Sequence, residues 1–321
     1  MSELLRVQGL VKSFGGVQAV KGLDFAIEEG RCVALLGPNG AGKTTTIRML
    51  TGLLKPTAGE MRFHGVPKGG DQRSIIGYLP QTPAFLPWMT GLEFVVYAGR
   101  LCGLSSGEAK RRGQELLQKV GLAGAEKRRI RGYSGGMKQR LGLAQALVHR
   151  PKLLIMDEPV SALDPLGRRE VLGLLRELKR ETTVLFSTHV LHDAEELCDD
   201  VMIIRSGQIA MQGALNDIRV RHRKPVIELR VERDERSEKW LSELVRGLSA
   251  GSWDAAGRHG AAGLFEEAEM AGGGAARLIA KDVDAARELL LESMAKEQIK
   301  VAQLAVGYSS LEDLFMKAVS E

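Results

Sequence analysis

GPNGAGKTT, Gly37 to Thr45, follows the apolar run RCVALL and leads into a helical pattern in which Ile47, Leu50 and Leu54 share one face. The stretch matches GxxxxGK[ST] at Gly37, Gly42, Lys43 and Thr44. Glycines let backbone N–H groups curl around phosphate oxygens, and the following helix turns its positive end toward them. Lys43 then reaches the terminal phosphates, and the Thr44 hydroxyl becomes a ligand for Mg²⁺. Gly52 and Pro56 mark where the helix stops. Strand, glycine loop and helix in that order predict a nucleotide-phosphate site in an α/β fold.

Further apolar runs bounded by loops support a parallel sheet covered on both faces: PKLLIMDEP, TTVLFSTH and DVMIIRSG. In LLIMDEP, four apolar residues bury a strand and Asp157 emerges at its carboxyl end, where ligands of such sheets gather. Asp157 is expected to hold Mg²⁺ through its water shell, and Glu158 to polarise the attacking water beside the γ-phosphate. Met137, Leu141, Ala144 and Val148 are expected to line one face of a helix, and Leu172, Leu175 and Leu178 one face of another. Residues from about Pro83 to Arg150 lack a strand run and read as a helical insertion.

A second glycine turn, RGYSGGMKQRL, stands at Arg131–Leu141, with Ser134 lying 91 residues beyond Lys43 (134 − 43). Its helix start offers N–H groups and the Ser134 hydroxyl to an anion. Nothing after Gly136 supplies a second lysine and metal set. A phosphate turn without its own metal chemistry makes sense if it closes over ATP held by another subunit.

At these residues the chain resembles the ATPases of ATP-binding cassette (ABC) transporters, over roughly Leu4–Gly213. Gly37–Thr45, including Pro38, Asn39, Gly40, Ala41 and Thr45, match that family's Walker A loop, and Leu153–Glu158 its Walker B strand. Ser134, Gly135 and Gly136 match the signature, and Ser161–Asp164 (SALD) the D-loop. The resemblance implies that Gln81 in GYLPQ contacts Mg²⁺ and couples to the permease, that His189 in STH is the switch histidine, and that Phe14 stacks on adenine where a tyrosine is usual. It implies ATP and Mg²⁺ as ligands and a head-to-tail homodimer with ATP between one Walker A and the other chain's Ser134. Asp164 joins the nucleotide set, with Lys43, Glu158 and His189 as the catalytic residues. The signature departs from the common pattern at Tyr133 and Met137, and Val160 stands where threonine is frequent.

The implied fold is a P-loop NTPase cassette, a RecA-like α/β core with a helical subdomain, over residues 1–220. A small α+β accessory domain follows at 221–321. There PVIELRVE, ARLIA and VAQLAV read as strands, SEKWLSELVRGL as a helix, and Asp282 caps a long amphipathic helix. A last helix is expected from Ser309, with Glu312 completing a capping box, and AAGRHGAAG is read as a loop.

The 321 residues carry a net charge of +5, divided unevenly. Residues 221–321 hold 15 basic and 18 acidic side chains, leaving 30 and 22 for residues 1–220, or −3 against +8. A basic first part suits nucleotide, nucleic acid or an anionic leaflet. No uninterrupted apolar stretch approaches the ~18 residues of a membrane span, and the N-terminus lacks the pattern of a secretory signal. Cys32, Cys102 and Cys198 are scattered and read as reduced thiols. His64, His149, His192, His222 and His259 show no partners in sequence; Lys127, Arg128, Arg129 and Arg131 read as a solvated edge. Phe85, Leu86, Trp88 and Met89 read first as core, although in the family this region faces the permease.

The expected activity is therefore ATP hydrolysis by a subunit on the cytoplasmic side of the cell membrane, driving a separate permease. The tail YSSLEDLFMKAVSE and YSGGMKQRL resemble prokaryotic multidrug-type exporters. The alternative is a soluble ABC ATPase acting on nucleic acid or the ribosome. Such proteins usually carry two cassettes or a long coiled-coil insertion, neither of which is present, so no direct nucleic-acid contact is expected.

Overall fold

The computed structural model describes residues 2–67, 69–161, 163–221, 223–250, 261–310 and 312–315. The chain divides into two units, one running to Asp217 and the other spanning Ile218–Leu314.

In the first unit β1 (Glu3–Phe14) and β2 (Val17–Glu28) form a hairpin, followed by β3 (Cys32–Leu36), α1 (Lys43–Leu50) and β4 (Ala58–Phe63). Next come β5 (Ile76–Leu79), α2 (Gly91–Leu101), α3 (Ser106–Lys119), α4 (Gly135–Leu147) and β6 (Leu153–Asp157). Then follow α5 (Pro165–Leu178), β7 (Thr183–Thr188), α6 (Leu191–Leu197), β8 (Asp200–Arg205) and β9 (Gln208–Ala214). The unit boundary falls within α7 (Leu215–Arg221).

A six-stranded sheet has the order β5-β6-β7-β3-β8-β9, parallel except where β9 returns antiparallel to β8. Every residue of β3, β6 and β7 is buried, which is why these strands read as apolar runs, broken only by Asp157 at the end of β6 and by Thr183, Ser187 and Thr188 in β7. Leu35, Ile155, Leu185 and Met202 join one core with Ile47, Met49 and Leu50 of α1. That packing clamps the glycine loop between β3 and α1 at the carboxyl edge of the sheet.

A separate antiparallel sheet, β2-β1-β4, had no counterpart among the expected strands. Its pairing shifts register at Val7/Leu10 and Lys12/Ser13, so inward residues do not keep a period of two. Helix α4 also differs from expectation. It buries Gln139, Leu141, Gly142, Leu143, Ala144, Ala146 and Leu147, nearly its whole circumference, while Met137 is only half-buried. Gly142 permits this, because a Cβ there would lie 2.5 Å from Leu79 Cδ1. Cys32 and Cys198 prove to be neighbours: their free Sγ atoms are 3.6 Å apart and buried.

The second unit runs β10 (Pro225–Val231), α8 (Glu235–Ser249), β11 (Phe265–Gly272), β12 (Ala275–Ala280), α9 (Val283–Lys296) and β13 (Val301–Tyr308). Its antiparallel sheet has the order β11-β12-β10-β13. Ile227, Leu229 and Leu278 of the sheet pack with Trp240, Leu244 and Leu290 of the helices. Asp282 caps α9, accepting from the amides of Asp284 and Ala285. Strand β11 has no counterpart among the strands legible in the sequence, since FEEAEMAG exposes three glutamates and hides few apolar residues. The capping box lies one residue beyond its expected place. Ser310 Oγ accepts from Asp313 N at 3.1 Å, and Ser310 N donates to Asp313 Oδ2 at 2.6 Å. Ser309 instead closes β13, donating to Lys224 O and accepting from Lys224 N. Of the AAGRHGAAG stretch, residues 255–260, His259 included, lie outside the described residues, as does His222; Ala261–Leu264 form a 3₁₀ turn.

Candidate nucleotide-binding site

The glycine loop is held closely from behind. A Cβ at Gly37 would lie 2.3 Å from Ile204 O, and one at Gly42 2.8 Å from Ala19 O. Gly42 also has φ +107°, which a side chain would resist. The loop wraps Lys43, whose Nζ donates to Gly37 O at 2.7 Å and Pro38 O at 3.1 Å. Asn39, Gly40, Gly42, Lys43, Thr44 and Thr45 line an open pocket of about 410 Å³, together with Ala19, Gln81 and Glu158. Ala41 turns into the core, and its carbonyl accepts from Gly207 N at 2.9 Å.

Strand β6 delivers the two carboxylates to the same place. Asp157 is buried, and its Oδ1 accepts from Ser187 Oγ at 2.6 Å and from Thr44 Oγ1 at 3.2 Å. Glu158 adopts a left-handed backbone, φ +46°, and its N–H donates to Ser187 Oγ at 2.9 Å. Three side chains then converge on its carboxylate. Lys43 Nζ lies 3.5 Å and His189 Nδ1 3.3 Å from Oε1, while Gln81 Nε2 lies 3.4 Å from Oε2. Gln81 follows β5 and His189 follows β7, the two strands that flank β6, so both side chains reach the Glu158 carboxylate at its end.

The donor set suits Mg²⁺. A hard, well-hydrated cation takes one or two protein oxygens and keeps the rest of its shell as water and phosphate. Thr44 and Asp157 present such a pair side by side, and Gln81 adds an amide oxygen to the pocket wall. Among the described residues no cluster of three or more His, Cys, Asp or Glu forms a metal cage of another kind.

Other expected site residues lie apart from this pocket. Ser134 caps α4, its Oγ accepting from Met137 N at 3.2 Å, and a Cβ on Gly135 or Gly136 would meet nothing within 4 Å. None of the three lines the pocket. Phe14 ends β1 half-exposed, with Lys12 Nζ 5.1 Å from its ring centroid, and also lies outside the lining. Asp164 caps α5 by accepting from Gly167 N at 2.9 Å. Ala162 of the same stretch lies outside the described residues.

Several other expectations are corrected. Phe85, Leu86 and Met89 are half-buried rather than core, and Trp88 is 66% exposed. Phe85 packs edge-on against Phe94 at 5.1 Å. His149 and His192 do have partners: Ile76 O at 3.1 Å and Glu196 at 3.8 Å. Lys127, Arg128, Arg129 and Arg131 are exposed, in keeping with the solvated edge read from the sequence. Ser187 carried no assigned role in the sequence; its only signal is a hydroxyl inside an apolar strand, two residues ahead of His189.

Over 316 residues the chain is 47% identical to the uncharacterized ABC transporter ATP-binding protein YxlF of Bacillus subtilis (strain 168), covering 98% of this chain and 99% of that one. The chain belongs to the ABC transporter ATP-binding proteins. The ABC transporter family model matches residues 20–161. This ABC subunit is also 39% identical over 250 residues to the daunorubicin/doxorubicin resistance ATP-binding protein DrrA of Streptomyces peucetius, covering 77% of this chain and 74% of DrrA. Among solved structures, an ATP-binding subunit of an ABC transporter matches with TM-score 0.62 and 34% identity, over 68% of this chain and 92% of that one. A dimeric ATP-binding cassette bound to ADP and Pi matches with TM-score 0.60 and 26% identity, over 66% and 99%. The ABC subunit is thus an ATP-hydrolysing transport ATPase with the P-loop NTPase fold.

Proposed function

We propose that two copies of this ATPase close head to tail on two ATP molecules, each with Mg²⁺, and drive a separate integral-membrane permease for export from the cytoplasmic face of the cell membrane. The convergence of Lys43, Gln81 and His189 on Glu158 beside the glycine loop carries this reading. Lys43 and the loop amides bind the phosphates, and Thr44 and Asp157 would hold Mg²⁺, which neutralises phosphate charge. Glu158 accepts the proton of the attacking water or orients it, and His189 and Gln81 hold that carboxylate in place. Phe14 stacks on the base.

Ser134, Gly135 and Gly136 form a capped helix start with open space over both glycines, outside their own chain's pocket. That arrangement favours service to a partner's nucleotide, with Asp164 in the facing segment. A dimeric relative holding ADP and Pi supports the same reading. Export is favoured by relatives named for daunorubicin/doxorubicin resistance and bacitracin transport. No described helix is long and apolar enough to cross a membrane. The exposed Trp88, with Phe85 and Leu86 near Gln81, offers the permease an apolar contact.

The test joins two measurements. The tagged chain, isolated from native membranes in mild detergent, should bring down a multi-span protein in stoichiometric amount. Glu158→Gln with ATP should run as a dimer in size-exclusion chromatography while wild type does not. A monomeric variant, or a chain that carries ribosomes instead, would overturn the reading.

A further inference from the structure

Strand β7 carries three buried hydroxyls, and that of Ser187 follows directly on the apolar run Val184, Leu185 and Phe186. Ser187 is fully buried, and burying a hydroxyl is unfavourable unless its bonds are made. Both bonds go to the hydrolytic pair. Its Oγ donates to Asp157 Oδ1 at 2.6 Å and accepts from Glu158 N at 2.9 Å. Strand register places Ser187 directly beside Asp157.

Two features make this more than satisfaction of a buried group. Oδ1 of Asp157 receives both Ser187 and Thr44, so the carboxylate cannot rotate without breaking two bonds. The Glu158 N–H that Ser187 receives belongs to a residue at φ +46°, a conformation that persists in a non-glycine residue only when its surroundings hold it. The same strand ends one residue before His189, which touches the Glu158 side chain from the other end.

We propose that Ser187 is a positioning residue of the hydrolytic site. One hydroxyl sets the rotation of Asp157, and hence its presentation to Mg²⁺, and pins the backbone from which Glu158 reaches the pocket. The inference rests on the reading of Asp157 as the Mg²⁺ carboxylate and Glu158 as the partner of the attacking water. It acts through those two residues and does not touch nucleotide.

The test compares the full-length wild type with Ser187→Ala, Ser187→Cys and Ser187→Thr. Affinity for a fluorescent ADP is measured in EDTA and across a Mg²⁺ titration, alongside ATP hydrolysis at each Mg²⁺ concentration. In EDTA all four should bind ADP alike, because the glycine loop and Lys43 are untouched. In Mg²⁺, the Ala and Cys variants should need about 10–100-fold more metal for half-maximal effect, the range for losing a partner of a metal-binding side chain. The Thr variant, which keeps the hydroxyl, should stay near wild type. If Ala does not fold, Cys carries the test, since it preserves volume while donating poorly. Folded Ala or Cys proteins with wild-type Mg²⁺ midpoint and turnover would overturn the proposal. So would a fall in turnover with an unmoved Mg²⁺ midpoint that Thr fails to rescue, which would mark a merely structural serine. A wild type lacking any Mg²⁺-dependent ADP binding or hydrolysis would instead remove the functional reading beneath it, a separate result.

Discussion

Lys43 and Glu158 face each other across the pocket, Nζ to Oε1 at 3.5 Å, with side chains only 5% and 11% exposed. They nevertheless do different work, and substitution should separate them. On the proposed function, Lys43→Ala removes the cation that would meet the terminal phosphates. Nucleotide affinity should fall roughly 10–100-fold, as expected for loss of a charge-assisted bond. Glu158→Gln keeps the shape and leaves Lys43 on its two carbonyls, so affinity should stay within a few-fold. Turnover should drop about 10²–10⁴-fold, the usual contribution of a positioned base. Equilibrium nucleotide binding and phosphate release, measured on both variants, check this; equal loss of affinity in the two would refute it.

The backbone of Glu158 yields a second outcome. At φ +46° a Cβ crowds the following carbonyl, and glycine escapes that penalty. Glu158→Gly and Glu158→Ala delete the same carboxylate, so both should lose turnover alike. The Gly variant should nevertheless be more stable than the Ala variant by about 1 kcal/mol. Urea unfolding of the pair isolates the backbone contribution; an Ala variant at least as stable as Gly would show that no strain is held there.

Much of this site is legible in the sequence because its chemistry needs fixed spacing. A loop of glycines before Lys43 and Thr44, and a carboxylate pair after an apolar strand, can be read without coordinates. The buried parallel strands are legible for the same reason, since both faces demand apolar residues. The β2-β1-β4 sheet is not: bulges break its alternation, and Gly9, at φ +56°, interrupts β1. Strand β11 hides behind Glu266, Glu267 and Glu269. Ser187 is invisible because its meaning lies in a neighbouring strand 30 residues earlier. Ser134 and Phe14 show their place in the fold, while the roles proposed for them act only on a bound nucleotide and, for Ser134, a second chain.

Gly77 holds the signature helix α4 against β5. A Cβ there would lie 2.2 Å from Ala146 O and 2.9 Å from Pro151 Cγ, and the first of these is backbone that cannot swing away. Gly77→Ala should destabilise the protein by about 1–3 kcal/mol, the range for overpacking. It should also lower ATPase activity, because Gln81 follows four residues later on the same strand and loop. Gly107→Ala in α3 is the control. It meets nothing within 4 Å and should be neutral or gain up to about 1 kcal/mol from helix propensity. Thermal melts of the two variants decide this, and equal effects would contradict the packing argument.

Acid stability should depend on His149. Burial pushes its imidazole below the usual histidine value, and the contact of Nε2 with Ile76 O offsets that only in part. Its Nδ1 is buried without a partner, so a proton there would be poorly solvated. As pH falls through the ordinary histidine range near 6.5, the unfolded chain takes up a proton that the folded chain refuses. Stability is therefore lost on acidification below that value, until the folded imidazole also titrates. His149→Gln retains a donor for Ile76 O and removes the titration. Wild type should lose stability relative to this variant as pH is lowered from about 7.5 to 5.5, with the two curves parallel above that range. Melting curves across that window test the sign directly. A gap that holds constant with pH, or moves in favour of wild type, would mean that His149 is not excluded from protonation by its surroundings.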